Sequence, residues 1–318
     1  MIAGPGFDAI KAARARIAGS ILCTPVLRSE FLDEQVGAQL FFKCENLQVT
    51  GAFKARGAFN AVLNLPAPLA ARGVVTHSSG NHGAALALAA RTRGIPAHVV
   101  APRTTPASKQ QNMLRYGAKL QLCEPTLAAR EAAAAQIIAD SGATLIHPFD
   151  NADVMAGQGT VALELLEQVP DLDALVCPIG GGGLISGAAV AAHGVNARIR
   201  VLGAEPMGAD DACRSRNAGV ITPVVQPHSL ADGLLATIAP STFAVIRTQV
   251  HAVGTVSEED IVVAMRRIWE ELKIIIEASS AVPVAALLSG ALQVAGLRVG
   301  VVLTGGNVDL QRLPWKPD

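Results

Sequence analysis

The sequence predicts an α/β fold made of two doubly wound, open parallel sheets. Three observations carry this reading. Short apolar runs of strand length alternate with longer Ala/Leu-rich runs of helix length. The junctions between them are dense in Gly, Ser and Asn. With 318 residues, half of them hydrophobic, the chain can bury two substantial cores.

The elements follow in order. Residues 8–19 have helical spacing, with Gly19 as a C-cap. Thr24-Pro25 starts an extended segment, and residues 40–45 read as a strand. Residues 55–65 read as a helix, which puts Lys54 near a helix N-terminus. Strands are then expected at 73–77, 97–101, 119–124 and 144–147, and helices at 84–93 (stopped by Gly94), 108–116 and 127–139. Strands alternating with helices imply parallel βαβ units with right-handed crossovers. A second round of the pattern has a helix at 158–169, a strand at 174–179, a helix at 184–193 and a strand at 198–204. Residues 257–273 begin Ser-Glu-Glu-Asp, a capping-box-like start to an amphipathic helix. A helix at 281–295 and a strand at 298–303 close the series. In such sheets ligands gather where strand C-termini meet turns.

Composition excludes several classes. Lys plus Arg equals Asp plus Glu at 26 each, and no long basic stripe argues for nucleic acid. No apolar run reaches the length of a membrane span, and residues 1–8 show no secretory leader. The five cysteines are scattered and never form a CxxC pair, which suits reduced thiols in a cytoplasmic protein.

The stretch that organises the chain is Glu-Asn-Leu-Gln-Val-Thr-Gly-Ala-Phe-Lys-Ala-Arg-Gly-Ala, centred on Lys54. Small residues around Lys54 and Phe53 let a flat group approach the backbone. A lysine amine forms a Schiff base with an aldehyde when its surroundings lower its pKa. Gly180, Gly181, Gly182 and Gly183 lie between a strand and a helix, where backbone N–H groups and a helix dipole converge on an anion. Their spacing matches neither GxGxxG nor GxxxxGK[ST], so a phosphate is expected rather than a dinucleotide or ATP. The alternative is a tight turn. Ser78, Ser79, Gly80, Asn81, His82 and Gly83 hold the same strand–turn–helix position and suit either a ring oxygen or carboxylate, or an N-cap. Glu205, Asp210 and Asp211 follow a strand and suit either a divalent cation or a solvated acidic turn. No HExxH, HxH or Ser-His-Asp set is recognisable, which disfavours a hydrolase.

In that order, the lysine stretch, the Ser-Ser-Gly-Asn-His-Gly turn, the tetraglycine turn and the closing Thr-Gly-Gly-Asn at 304–307 resemble the serine/threonine dehydratase and serine racemase family. These are pyridoxal-phosphate enzymes of fold type II, with a tryptophan-synthase-β-like architecture. The resemblance covers nearly the whole chain. It implies a large cofactor-binding domain from residues 1–66 and 151–318 and a small substrate-recognition domain from 67–150. It implies that Lys54 carries the cofactor and acts as the base at Cα. Phe53 would pack on the ring, Asn81 would bind its hydroxyl, the four glycines its phosphate, and Thr304 would face its nitrogen. Ser79 matches the opposite-face acid/base of racemases; Ser78, His82 and Arg130 would meet substrate. Arg130 matches an arginine that reaches acidic substrates in racemase-like members, which hints at 3-hydroxyaspartate. Glu205, the Ala209 carbonyl and Asp211 match a site for Mg²⁺, Ca²⁺ or Mn²⁺. Phe149 stands where racemases have a polar residue, while Ala84 and Ala278 depart from a Gln and a Pro common in the family. The implied reaction is conversion of a 3-hydroxy-L-amino acid to a 2-oxo acid and ammonia by a cytoplasmic homodimer. The alternative is racemisation of serine or aspartate by Lys54 and Ser79.

Overall fold

A computed structural model describes residues 4–78 and 80–315. Its strands are β1 Val26–Leu27, β2 Gln39–Cys44, β3 Val74–His77, β4 Ala97–Pro102, β5 Lys119–Cys123, β6 Thr144–Leu145, β7 Ala174–Pro178, β8 Arg200–Pro206, β9 Ala252–Val256 and β10 Arg298–Leu303. They form a six-stranded sheet in the order β1-β2-β10-β7-β8-β9 and a four-stranded sheet in the order β5-β4-β3-β6. Every pairing is parallel except β1 with β2. The doubly wound expectation therefore holds, with one antiparallel strand added at an edge.

Burial explains the composition. All five residues of β7 and the last five of β10 are buried, because helices cover both faces of the large sheet. One core includes Leu165, Leu175, Ile185 and Ile246; the other face packs Phe42, Val176, Ile268 and Val284. The small sheet packs Val74 and Val99 against Ala/Leu helices that include Ala58, Phe59 and Leu86. Among the described residues no helix is long and apolar enough to cross a membrane.

Element limits follow local chemistry. The helix Asn81–Arg93 stops at Gly94, which takes φ +73° as its C-cap. Ser257 and Asp260 form the capping box expected of the helix Glu258–Leu272. Three expectations need correction. The first helix is Phe7–Ile17 with Ala18, not Gly19, at its C-cap. The helix placed at 281–295 is Ala278–Leu288, because Gly290 turns left-handed at φ +77°. The helix placed at 158–169 starts at Ala152, where the Asn151 side chain accepts from the Val154 N–H. Strand β1 falls in the extended segment expected after Thr24-Pro25, whereas strand β9 and the helices Glu30–Val36, Asp211–Ala218 and Pro240–Gln249 had no expectation.

Two features set the position of Lys54. The helix Lys54–Asn64 crosses the helix Ala152–Gln168 through glycine: a Cβ on Gly157 would lie 2.5 Å from the Arg56 carbonyl oxygen. Behind this crossing lies a fully buried ion cluster. Arg56 donates to both oxygens of Glu45 at 2.8 Å and to Glu164 at 2.8 Å, and Lys43 donates to Glu164 at 2.6 Å. Lys43 and Arg56 face Glu45 and Glu164 there, the half-buried Arg14 adds a third cation 3.4 Å from Glu164, and Thr24 supplies further hydrogen bonds to each carboxylate.

Candidate active site

Lys54 is the first residue of its helix. The turn before it is pinned to the loop after β10: the Phe53 N–H donates to the Thr304 carbonyl at 2.9 Å, the Gly306 N–H donates to the Gly51 carbonyl at 2.9 Å, and Ala52 bridges Gly305. The amine donates to the Pro148 carbonyl at 3.0 Å. Burial lowers its pKa from 10.5 to about 8, against the opposing pull of Glu277. A neutral amine is thus within reach near physiological pH.

Around this amine lie groups from both sheets. Asn81 starts its helix, donates to Glu277 at 2.8 Å and accepts from Asn307 at 2.9 Å. Burial raises the Glu277 carboxyl to about 7. Ser78 turns its hydroxyl to the backbone, accepting from the Gly83 N–H at 3.2 Å and the Gly80 N–H at 3.4 Å. The N-cap of the helix Asn81–Arg93 is Gly80, with no side-chain cap bond, so neither serine nor Asn81 serves as the expected N-cap. His82 is buried, with Nε2 at 3.2 Å from the Ile146 carbonyl and Nδ1 unpartnered; burial, then Lys54, hold its pKa well below the usual value. Ser79 lies outside the described residues.

Phe149 covers the tetraglycine turn. A Cβ on Gly181 would lie 2.4 Å from the Phe149 ring, and one on Gly180 3.0 Å from the Leu234 Cα. Side chains are excluded from the turn, so its backbone is the surface presented. The next helix, Gly183–Val195, leaves its first amides without intrahelical acceptors.

A line of rings leads outward. Phe149 stacks edge-on with His147 at 4.6 Å between centroids, and His147 with His77 at 5.2 Å. Burial, followed by His77, pushes His147 down to about 4, and Lys54 adds to the effect. His77 is lowered by burial and then by Arg130. The buried Nε of Arg130 has no hydrogen-bond partner. Arg130 therefore stands at the far end of a path that starts at Lys54.

Thr304 is buried, its hydroxyl 3.0 Å from that of Ser280. Ser280, Glu277 and Asn307 were not among the expected site residues. The signal for Glu277 was a lone acid ending the apolar run at 274–276, and Asn307 closed the Thr-Gly-Gly-Asn run without being given a role of its own; Ser280 carried no signal. At the mouth, Lys109 forms an ion pair with Asp232, beside a cavity of about 420 Å³ lined by Asn81, Ser108, Asn112 and Asn307.

Glu205 ends β8 away from this centre. Its oxygens accept from the Ala212 and Cys213 N–H groups at 3.0 and 2.8 Å, and Asp211 accepts from the Ile238 N–H at 2.8 Å. Burial raises Glu205 to about 8 and Asp211 to about 6. Ala209 is buried beside them in sequence. Among the described residues no group of three or more His, Cys, Asp or Glu is arranged to hold a metal. Two buried carboxylates with raised pKa values are the chemistry a cation would relieve.

A family model described as "pyridoxal-phosphate dependent enzyme" matches residues 17–305. The chain belongs to this family. Within this pyridoxal-phosphate dependent enzyme family, it is 49% identical to a beta-hydroxyaspartate dehydratase of Paracoccus denitrificans, covering 98% of this chain and 99% of that one. It is also 49% identical to a serine racemase of Arabidopsis thaliana, over 96% of this chain and 93% of that one. The structure of maize serine racemase superposes with a TM-score of 0.95 at 46% identity, covering 97% and 95% of the two chains. The residues fit the group that names the family: a half-buried amine with a lowered pKa suits an aldehyde, and the side-chain-free turn ahead of unpaired amides suits a phosphate.

Proposed function

We propose that this enzyme is a dehydratase that converts a 3-hydroxy-L-amino acid to a 2-oxo acid and ammonia, with 3-hydroxyaspartate as its preferred class of substrate. The observation that carries the reading is the half-buried Lys54 amine, which donates to the carbonyl of Pro148, next in sequence to the Phe149 that covers the glycine turn, and is depressed to about 8. The 49% identity to a beta-hydroxyaspartate dehydratase supports the choice of reaction. Arg130 supports the choice of substrate, because a half-buried arginine whose buried Nε is unpaired suits a second carboxylate.

Pyridoxal phosphate, when bound, supplies the electron sink for the carbanion at Cα. Lys54 holds the cofactor and takes the Cα proton. Phe53 packs on the ring. Gly180, Gly181, Gly182 and Gly183 hold the phosphate by backbone N–H groups. Asn81, steadied by Glu277 and Asn307, binds the ring hydroxyl, and Thr304 faces the ring nitrogen. Ser78 and His82 line the substrate's side of the site. The β-hydroxyl leaves as water with the proton that Lys54 has taken from Cα, and hydrolysis of the resulting enamine releases the 2-oxo acid and ammonia. We further assign residues 1–66 and 151–318 to a cofactor-binding domain and 67–150 to a substrate-recognition domain. Glu205, Asp211 and the Ala209 carbonyl hold Mg²⁺, Ca²⁺ or Mn²⁺, and the chain works as a cytoplasmic homodimer. The unpaired state of all five cysteines supports a reducing compartment.

The test is 2-oxo acid release from serine, threonine, 3-hydroxyaspartate and 3-phenylserine, with and without EDTA. Lys54→Ala is expected to lose at least about 10³-fold in rate; a variant with normal turnover sinks the reading. Arg130→Met is expected to raise KM for 3-hydroxyaspartate by roughly 10- to 100-fold and to spare serine, from the strength of hydrogen bonds to charged groups.

The similarity to serine racemases favours a second reading, racemisation by Lys54 and Ser79. Chiral analysis of the amino acid left after incubation separates the two, and Ser79→Ala should abolish racemisation while sparing elimination.

A further inference from the structure

Two walls press on the tetraglycine turn, and they come from segments far apart in the chain. One is the loop 147–150 that follows β6. Its Phe149 ring lies against Gly181, and its Phe149 Cβ would stand 2.9 Å from a Cβ on Gly183. The other is the start of the helix Pro240–Gln249, whose Thr242 and Ile246 would each stand 2.9 Å from a Cβ on Gly182. A side-chain hydrogen bond joins the walls: the Ser241 hydroxyl donates to Oδ1 of Asp150. Ser241 is buried in the first turn of its helix, so the Asp150 carboxylate meets a helix N-terminus, where an anion is favoured. The backbone of Asp150 is held as well. Its N–H donates to His147 Nδ1 at 2.9 Å, and the next residue, Asn151, caps the helix Ala152–Gln168. The same loop carries the Pro148 carbonyl that accepts from Lys54 at 3.0 Å. One loop thus touches both the amine and the turn.

We infer that Asp150 is a positioning residue: through Ser241 it holds the Phe149 loop closed on the tetraglycine turn, so that the turn grips a phosphate ester while Lys54 reaches the aldehyde of the same molecule. This rests on the reading of the turn as the cofactor's phosphate site. Asp150 acts through the loop and not on the phosphate itself. A carboxylate next to an anion site is unfavourable unless its lone pairs are engaged elsewhere. Here a hydroxyl at a helix start engages one of them.

Equilibrium binding of pyridoxal phosphate to the full-length apoprotein, beside pyridoxal, which lacks the phosphate, tests this by absorbance. The native protein is expected to bind the phosphorylated compound far more tightly. Asp150→Ala and Ser241→Ala should each weaken that binding about tenfold, the strength of a hydrogen bond to a charged group, and leave pyridoxal unaffected. Because both variants break one bond, the double variant should lose no more than either alone. Asp150→Asn keeps an acceptor oxygen and should restore most of the native affinity. Native affinity in Ser241→Ala overturns the inference, and so does equal weakening toward both compounds, which marks general loosening of the fold. Losses that add in the double variant, or an Asp150→Asn as weak as Asp150→Ala, overturn it too. The native protein tests the underlying reading by itself: if it binds the two compounds alike, the turn is not a phosphate site and the inference falls with that reading. Should Asp150→Ala fail to fold, Ser241→Ala decides alone, with a second readout in the ³¹P signal of its holoenzyme. That signal is expected to move toward the position of free pyridoxal phosphate, and an unmoved signal overturns the inference.

Discussion

Two titratable side chains, the half-buried Lys54 and the buried Glu277, are shifted in opposite directions by the same low-dielectric surroundings. Burial moves Lys54 down to about 8 and Glu277 up to about 7. The first shift predicts the pH dependence of cofactor capture. A protonated amine cannot attack an aldehyde, so capture by apoprotein should rise about tenfold per unit as pH approaches 8 and level off above it. Absorbance-detected mixing checks this; a flat profile from pH 6 to 10 would show that burial does not govern the amine. The second shift predicts a stability effect of known sign. Between 4.5 and about 7 the folded chain binds a proton at Glu277 that the unfolded chain has lost, so stability falls as pH rises through that window. The loss is up to about 3 kcal/mol, and Glu277→Gln should remove it, measured by urea denaturation of apoprotein at pH 5 and pH 8. Lys54 at a helix start was legible in the chain because small residues and a helical run flank it. The bonds joining Asn81, Glu277 and Asn307 were not, since they link residues 196 and 226 positions apart. No local pattern encodes such distances.

Elements were legible where they carry their own punctuation. Gly94 and the Ser257–Asp260 box mark their helix ends in the sequence itself. The seven-residue helix Glu30–Val36 was not legible, because an element that short shows no clear period, while β1 was legible only as an extended segment. Gln39–Cys44 was legible as a strand, but only tertiary pairing could reveal that it lies beside β10. The helix crossing at Gly57 and Gly157 carries a sharp prediction at this scale. A methyl on Gly157 would press on the Arg56 carbonyl, backbone that has nowhere to move. Gly157→Ala is expected to cost about 1–3 kcal/mol of stability as an overpacking defect. Because Arg56 lies two residues beyond Lys54, kcat should also fall. Thermal unfolding and turnover of the same preparation check both; an unchanged Tm would show that the helices can separate freely.

At the scale of the whole molecule, the ion cluster ties β2, the lysine helix and the helix Ala152–Gln168 together. Burial opposes the charge on Glu164, yet Arg56 and Lys43 hold it at about 2. Its contribution to stability is present above pH 4.5 and is lost as pH falls toward 2. Removing it as Glu164→Ala leaves Lys43 and Arg56 with only Glu45 between them, at an expected cost of about 3–5 kcal/mol in urea unfolding. A cost under about 1 kcal/mol would mean that water enters the cluster.

The strand order has a consequence for how the enzyme is made. Strands β3 to β6 are consecutive in the chain, so the small sheet can pair as soon as residue 145 has emerged. The large sheet cannot: β2 and β7 touch only through β10, which starts at residue 298. The loop that pins the lysine turn, residues 304–306, is translated after that. Throughout most of its synthesis on the ribosome the nascent chain therefore carries Lys54 in an unfinished frame, with half of the large sheet waiting for its central partner. Capture of the aldehyde waits until residues 304–306 have joined the lysine turn, and a chain interrupted before residue 298 should remain colourless.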